Sequence, residues 1–128
     1  MPTGTIRFTQ AKDAPELTVE LALNLDDQRH GLMFRSHLAD NEGMLFTYRD
    51  QKSRHFWMHN TCLALDMIHI DQDNRIVGIV EQVPPWNDLT RSVRCSAKHV
   101  LEVPAGWSRR YGVFPGQIVQ ILTNESSK

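Results

Sequence analysis

The clearest pattern in the chain is a period of two. Leu17, Val19, Leu21 and Leu23 alternate with Thr18, Glu20 and Ala22, which predicts a β-strand with one buried face. Ile6 and Phe8 alternate with Arg7 and Thr9 in the same way over a shorter span, as a short edge strand would. Residues 43–46, 65–70, 76–83, 99–103 and 117–122 are further apolar runs bounded by turn residues, and Phe56-Trp57-Met58 begins another. Asp71-Gln72-Asp73-Asn74 separates two of these runs and predicts a hairpin. Pro84-Pro85 ends its second strand, because proline cannot donate to a β-ladder.

Helical spacing replaces this alternation after Asn24, a good N-cap that is followed by Asp26 and Asp27 in the first turn. Leu25, Leu32 and Met33 repeat as one apolar stripe and predict a main helix reaching about Leu38. Gly31 interrupts it at a cost of ~1 kcal/mol relative to Ala. A short second helix is expected at residues 107–111, between Pro104-Ala105-Gly106 and Gly112. Residues 49–54 read as a polar connection and 87–97 as the longest loop.

About eight short strands with one real helix predict an α+β domain. Its mainly antiparallel β-structure is expected as a partly open barrel or a two-sheet sandwich with the helix packed on it. Helices do not alternate with strands, which argues against a doubly wound parallel sheet. The 128 residues suit one domain, with a core at about 5–122 and a polar tail at 123–128.

Composition narrows the function classes. Hydrophobic residues make up 41% and charged residues 23%, as in globular proteins, and the formal net charge of −1 lacks the basic surplus that binding to a phosphate backbone needs. No nucleic-acid partner and no membrane span are expected, since no run approaches ~18 apolar residues. The start Met-Pro-Thr-Gly-Thr-Ile-Arg-Phe has neither the basic beginning nor the apolar stretch of a signal peptide. The expected location is therefore cytoplasmic, or periplasmic or exported if a leader has been removed. Cys62 and Cys95 are too few for a disulfide framework; one bridge between them is possible if the fold brings them together, and free, half-buried thiols are expected. Oligomeric state is left open by the sequence.

The densest chemistry lies in residues 56–66. Asp66 stands inside an apolar run and needs a partner if ionised, because an unpaired buried charge is costly. Arg29 and Arg35 on the helix are candidates, since guanidinium matches carboxylate in a bidentate way. Such a pair could simply fix helix to sheet. Alternatively, Arg35, Asn60 and Asp66 converge on a cleft and orient a polar ligand. His55, Met58, His59 and Cys62 are soft-metal ligand types, but turn-and-strand spacing does not bring the histidines to one face, so no metal and no cofactor are expected. No nucleophile elbow, P-loop or zinc-protease motif occurs. Asp66 and Glu102 could in principle be a carboxylate pair for glycoside chemistry, but any two acids in a chain of this length invite that reading and the signal is weak. Glu102 points away from the side of Leu101 and Val103, as though to meet solvent.

Arg29-His30-Gly31-Leu32-Met33-Phe34-Arg35, Gly43-Met44-Leu45-Phe46, Phe56-Trp57-Met58-His59-Asn60-Thr61 with Leu65-Asp66, residues 100–106 and Gly112-Val113-Phe114-Pro115-Gly116 follow one another in order. Together they resemble the signature blocks of the domain of unknown function 192 family, also called uncharacterised protein family 0127. The resemblance implies a small, mainly β prokaryotic domain, often made with an export signal or lipid anchor, and it supplies no activity. Ala64 stands where the family usually has Pro, and His69 where it has an aromatic or aliphatic residue.

The reading favoured by the residues is a non-catalytic binding module for a small polar or anionic ligand. The cleft is expected between the helix and the 57–66 segment, with Arg29, Arg35, Trp57, Asn60, Thr61, Asp66 and Trp86 as ligand-binding residues. One alternative is a small hydrolase with Asp66 as general base. Another is a protein-interaction domain built around Trp86, in which the polar residues are structural.

Overall fold

The computed structural model describes residues 2–33, 35, 37–56, 58, 61–85, 91–93 and 95–123. Seven strands form one mixed sheet: β1 (Thr3–Arg7), β2 (Leu17–Ala22), β3 (Glu42–Lys52), β5 (Leu65–Ile70), β6 (Ile76–Val83), β8 (Ala97–Pro104) and β9 (Gln120–Thr123). Two short strands, β4 (His55–Phe56) and β7 (Arg91–Ser92), pair with each other. The order across the large sheet is β6-β5-β8-β3-β2-β1-β9, and only the β2–β3 pair is parallel. The sheet does not close, although a single bridge from Arg75 to Ile118 joins the start of β6 to the residues before β9.

Each face of the sheet carries its own core. On one face Leu17, Val19, Leu21, Leu45, Ile68, Leu101 and Val103 pack beneath Phe8, Trp107 and Val113. This is the α2 face, after the short helix α2 (Trp107–Arg110) that covers it. On the opposite face Ala22, Met44, Phe46, Leu65, Met67 and Val100 pack with Leu32 and Met58. We call this the methionine face. Covering both faces explains why β5 is buried along its whole length and reads as a continuous apolar run rather than an alternating one.

The hairpin of β5 and β6 forms as predicted. Asp71 Oδ1 accepts the N–H groups of Asp73 (2.9 Å) and Arg75 (2.9 Å), so the aspartate shapes its own turn. Three other expectations are corrected. β1 is no edge, because it is paired with β2 on one side and β9 on the other. The polar residues up to Lys52 continue β3 instead of forming a connection. The expected main helix ends after six residues, so the described residues contain two short helices: α1 (Leu25–His30) and α2.

Gly31 is the reason for that early stop. It has φ +50° and ψ −129°, a conformation available to glycine, and a Cβ there would lie 3.2 Å from the ring of Phe46. The chain therefore leaves the helix to lie against the sheet. α1 buries no residue of its own, and Leu25 is 61% exposed. It is held instead by polar bonds. Asn24 caps it through Asp27 N–H, and Gln28 Nε2 donates to the carbonyls of Ala22 and Thr47.

Candidate functional site

Asp66 and Glu102 are both buried, and the register of the sheet sends them to different faces. Asp66 lies opposite Val103 on the α2 face, where Oδ1 accepts from Gln82 N–H (2.8 Å) and Gly106 N–H (3.1 Å) and Oδ2 accepts from Ser108 N–H (3.0 Å). Gln82 has φ +51° at an irregularity in the β5–β6 ladder, so its N–H is one that the strand pairing has released. Gly106 is the N-cap of α2 and has no side chain to cap with. The carboxylate of Asp66 thus serves as the cap of α2 from another strand, where the helix dipole also favours a negative charge.

Glu102 lies opposite Met44 on β3 and Met67 on β5, hence on the methionine face. It is 4% exposed, and burial pushes its pKa up to about 8. Tyr48, on the same strand face as Phe46, is pushed up to about 12, chiefly by burial. Arg54 opposes that shift and Glu102 adds to it. The Arg54 guanidinium carbon sits 3.9 Å from the centre of the Tyr48 ring.

The methionine face opens towards β1 into a cleft of about 270 Å³ lined by Thr3, Thr18, Glu20, Arg35, Leu38 and Glu42, among others. Arg35 Nη2 is 2.7 Å from Glu20 Oε1, and both side chains remain partly exposed at the rim. Glu42 accepts the N–H of Ala39 (2.9 Å), fixing residues 39–42 as the wall. The same stretch is tied to α2, because Asp40 accepts from Trp107 Nε1 through its carbonyl and from Arg110 and Tyr111 through its carboxylate.

A mainly antiparallel sheet with a glycine-terminated helix and a capped short helix is the frame in which the ordered sequence blocks are found. The family model for that domain, described as uncharacterised ACR, matches residues 6–121. The chain belongs to the domain of unknown function 192 family. It is similar to the crystal structure of a proposed transcription regulator from Sinorhizobium meliloti 1021, at 35% identity and a TM-score of 0.88 over 93% of each chain. It is also similar to a protein of unknown function from Novosphingobium aromaticivorans DSM 12444. There the identity is 32% and the TM-score 0.81, covering 92% of this chain and 83% of that one. No curated protein matches the chain.

Within this family fold the expected site residues separate. Arg35 lines the cleft, while Arg29 is exposed on α1. Thr61 is buried, and its N–H donates to the carbonyl of Met58 (3.1 Å). The expected Arg35–Asp66 pair does not form, because the two lie on opposite faces of the sheet and each has other partners. The same separation rules out Asp66 and Glu102 as a carboxylate pair. Trp57, Asn60 and Trp86 lie outside the described residues, as does His59. Cys62 and Cys95 are free, and both are exposed rather than half-buried as expected. Among the described residues no three His, Cys, Asp or Glu side chains converge as metal ligands, and no helix is long and apolar enough to cross a membrane.

Glu102 is the residue that sequence reasoning sent to solvent. The signal that places it inside is the run around it. Val100, Leu101 and Val103 put apolar residues on both parities of β8, as a strand covered on both faces requires. A charged residue there has no solvent side to face.

Proposed function

We propose that this domain binds a small polar ligand without transforming it, in the cleft between residues 35–42 and strands β1–β3. The observation that carries the reading is the cleft itself. Hydroxyl, carboxylate and guanidinium groups from Thr3, Thr18, Glu20 and Arg35 line a concave space rather than a flat surface. Arg35 is already matched by Glu20, so an anionic ligand would have to displace that carboxylate. A hydroxylated or zwitterionic ligand, able to bond both members of the pair, fits better.

Hydrolysis with Asp66 as general base has less support. A base must reach the proton it removes, and the Asp66 carboxylate is fully buried beneath three N–H donors. Transcription regulation, the role named for the Sinorhizobium relative, would need a basic face if it worked through binding DNA. The net charge of −1 offers little support for one.

The test is thermal unfolding of the protein with sugars, amino acids, nucleotides, organic acids and amines, repeated with Arg35→Ala and Thr18→Val. A ligand at ~100 times its Kd stabilises by ~2.7 kcal/mol, which is easily seen for a domain of this size. The expected result is an upward shift that both variants lose while remaining folded. A panel without any shift, or shifts indifferent to both substitutions, would remove the cleft from consideration.

A further inference from the structure

The strand register lays out the floor of the cleft. Met44, Glu20 and Thr3 are consecutive partners across β3, β2 and β1, and Glu42, Thr18 and Thr5 form the next row on the same face. Glu20 and Glu42 are therefore diagonal neighbours on adjacent strands, with Cα atoms roughly 8 Å apart at ordinary strand spacing and rise. The chain between α1 and β3 adds Arg35 and Leu38 to the lining.

Arg35 reaches Glu20 through Nη2 (2.7 Å). A guanidinium also carries N–H donors on Nε and on its second terminal nitrogen, so the bond to Glu20 does not exhaust it. Glu42 accepts the Ala39 N–H through Oε1, and a carboxylate has further acceptor capacity on its second oxygen. The cleft thus holds two carboxylates and one guanidinium, each open to solvent at least in part. Neighbouring charges are engaged elsewhere. Arg7, two residues beyond Thr5 on the same face of β1, is held by Glu16 (2.6 Å), and Asp40 is held by Arg110 (2.8 Å). His37 is exposed between Arg35 and Leu38.

We infer that the ligand of this cleft is a small zwitterion of the α-amino-acid type. Its carboxylate meets Arg35 on the guanidinium edge that Glu20 does not use, and its ammonium group sits between Glu20 and Glu42. The inference rests on the binding reading above and names the ligand's chemical class. Charge balance supports it first. A lone anion has to compete with two carboxylates for one guanidinium, and a lone ammonium ion leaves the remaining donors of Arg35 to water. Spacing supports it next. Arg35 and Glu20 are in contact, so opposite charges stand side by side on the protein. In an α-amino acid the two charged groups are attached to one carbon and stand side by side as well. The two pairs fit with their signs reversed, and neither member of the protein's pair has to be pulled away. Size agrees too. At about 270 Å³ the cleft falls just below the range that holds drug-sized ligands, and Leu38 and the Thr18 hydroxyl offer an apolar and a polar contact to a short side chain.

The experiment uses the whole chain at pH 7 with L-serine, L-threonine and L-leucine as probes. Each is compared with its N-acetyl derivative, which lacks the ammonium group, and its amide, which lacks the carboxylate. Thermal unfolding and calorimetric titration are run on the wild type, Glu42→Gln and Arg35→Ala. Glu42→Gln keeps the oxygen that accepts from Ala39 and removes only the charge, so the wall of the cleft should hold. The derivatives test the inference on the unaltered protein. The expected result is a rise in Tm of about 3 °C or more with at least one free amino acid at saturating concentration. Its Kd should be weaker by about tenfold or more in both variants, and both blocked derivatives should bind the wild type more weakly by a similar factor. An N-acetyl derivative or an amide that binds as tightly as the parent overturns the inference, as does binding indifferent to Glu42→Gln. If no amino acid binds while another ligand of the wider panel does, and that ligand loses its effect in Arg35→Ala and Thr18→Val, the cleft reading stands and this inference is refuted. If nothing in either panel binds, both fall.

Discussion

Asp66 and Glu102 occupy adjacent strands and opposite faces of one sheet, and their carboxyl groups meet opposite treatment. Asp66 receives three backbone N–H groups, whereas Glu102 receives none among the described residues. The three donors tie the Asp66 carboxyl to α2 and β6, while burial pushes the Glu102 pKa up to about 8.

Removal of the Asp66 carboxylate should be costly. Asp66→Ala leaves the N–H groups of Gln82, Gly106 and Ser108 without their acceptor in a dry site, and each orphaned group costs about 1–3 kcal/mol. A loss of at least about 3 kcal/mol is expected from urea unfolding, with Asp66→Asn intermediate because its amide turns a donor towards one of the three. Loss below about 1 kcal/mol in Asp66→Ala would mean that these bonds do not hold α2 to the sheet.

Glu102 and His99 should give stability opposite slopes with pH. The folded pKa of Glu102 lies above its ordinary value of 4.5, so the folded state holds more protons between about 4.5 and 8. Stability falls with rising pH across that window and levels off above it. His99 lies on the other face, where Thr47 Oγ1 is 2.9 Å from its Nδ1, and burial lowers its pKa from 6.5 to about 4. The folded state then holds fewer protons between those values, and stability falls as pH drops through them. The two effects oppose each other between about pH 4.5 and 6.5, so single variants are needed to separate them. Glu102→Gln should gain up to about 4 kcal/mol on the wild type between pH 5 and 8. His99→Gln should remove about 1–2 kcal/mol of acid sensitivity, allowing for solvent screening. Urea midpoints from pH 4 to 9 read both, and parallel curves for Glu102→Gln and wild type would show that Glu102 is ionised in the fold.

Gly78 should resist any side chain for a steric reason. A Cβ there would lie 2.6 Å from Val93 Cγ1, since Val93 is laid directly on β6 opposite His69. Gly78→Ala is expected to destabilise by about 1–3 kcal/mol through overpacking, and Val93→Ala in the same chain should restore part of that loss. Independent, additive costs in the double variant would show that the two positions do not touch.

The sequence by itself determined the alternation of β2, the hairpin of β5 and β6 with its aspartate turn, the position of α2 and the family. These follow from signals within a few residues: period, turn chemistry and caps. Which face each strand presents to which neighbour was decided only by the tertiary structure. Asp66 and Glu102 are 36 positions apart, and nothing local says that the register of β5 and β8 sends them to opposite sides. The length of α1 was likewise settled at a distance. Gly31 ends the helix because the chain must approach the Phe46 ring, and there the long-range contact overrides helical spacing. Arg35 finds Glu20 rather than Asp66 because both stand on the methionine face, although local sequence offered Asp66 as the acid in need of a partner.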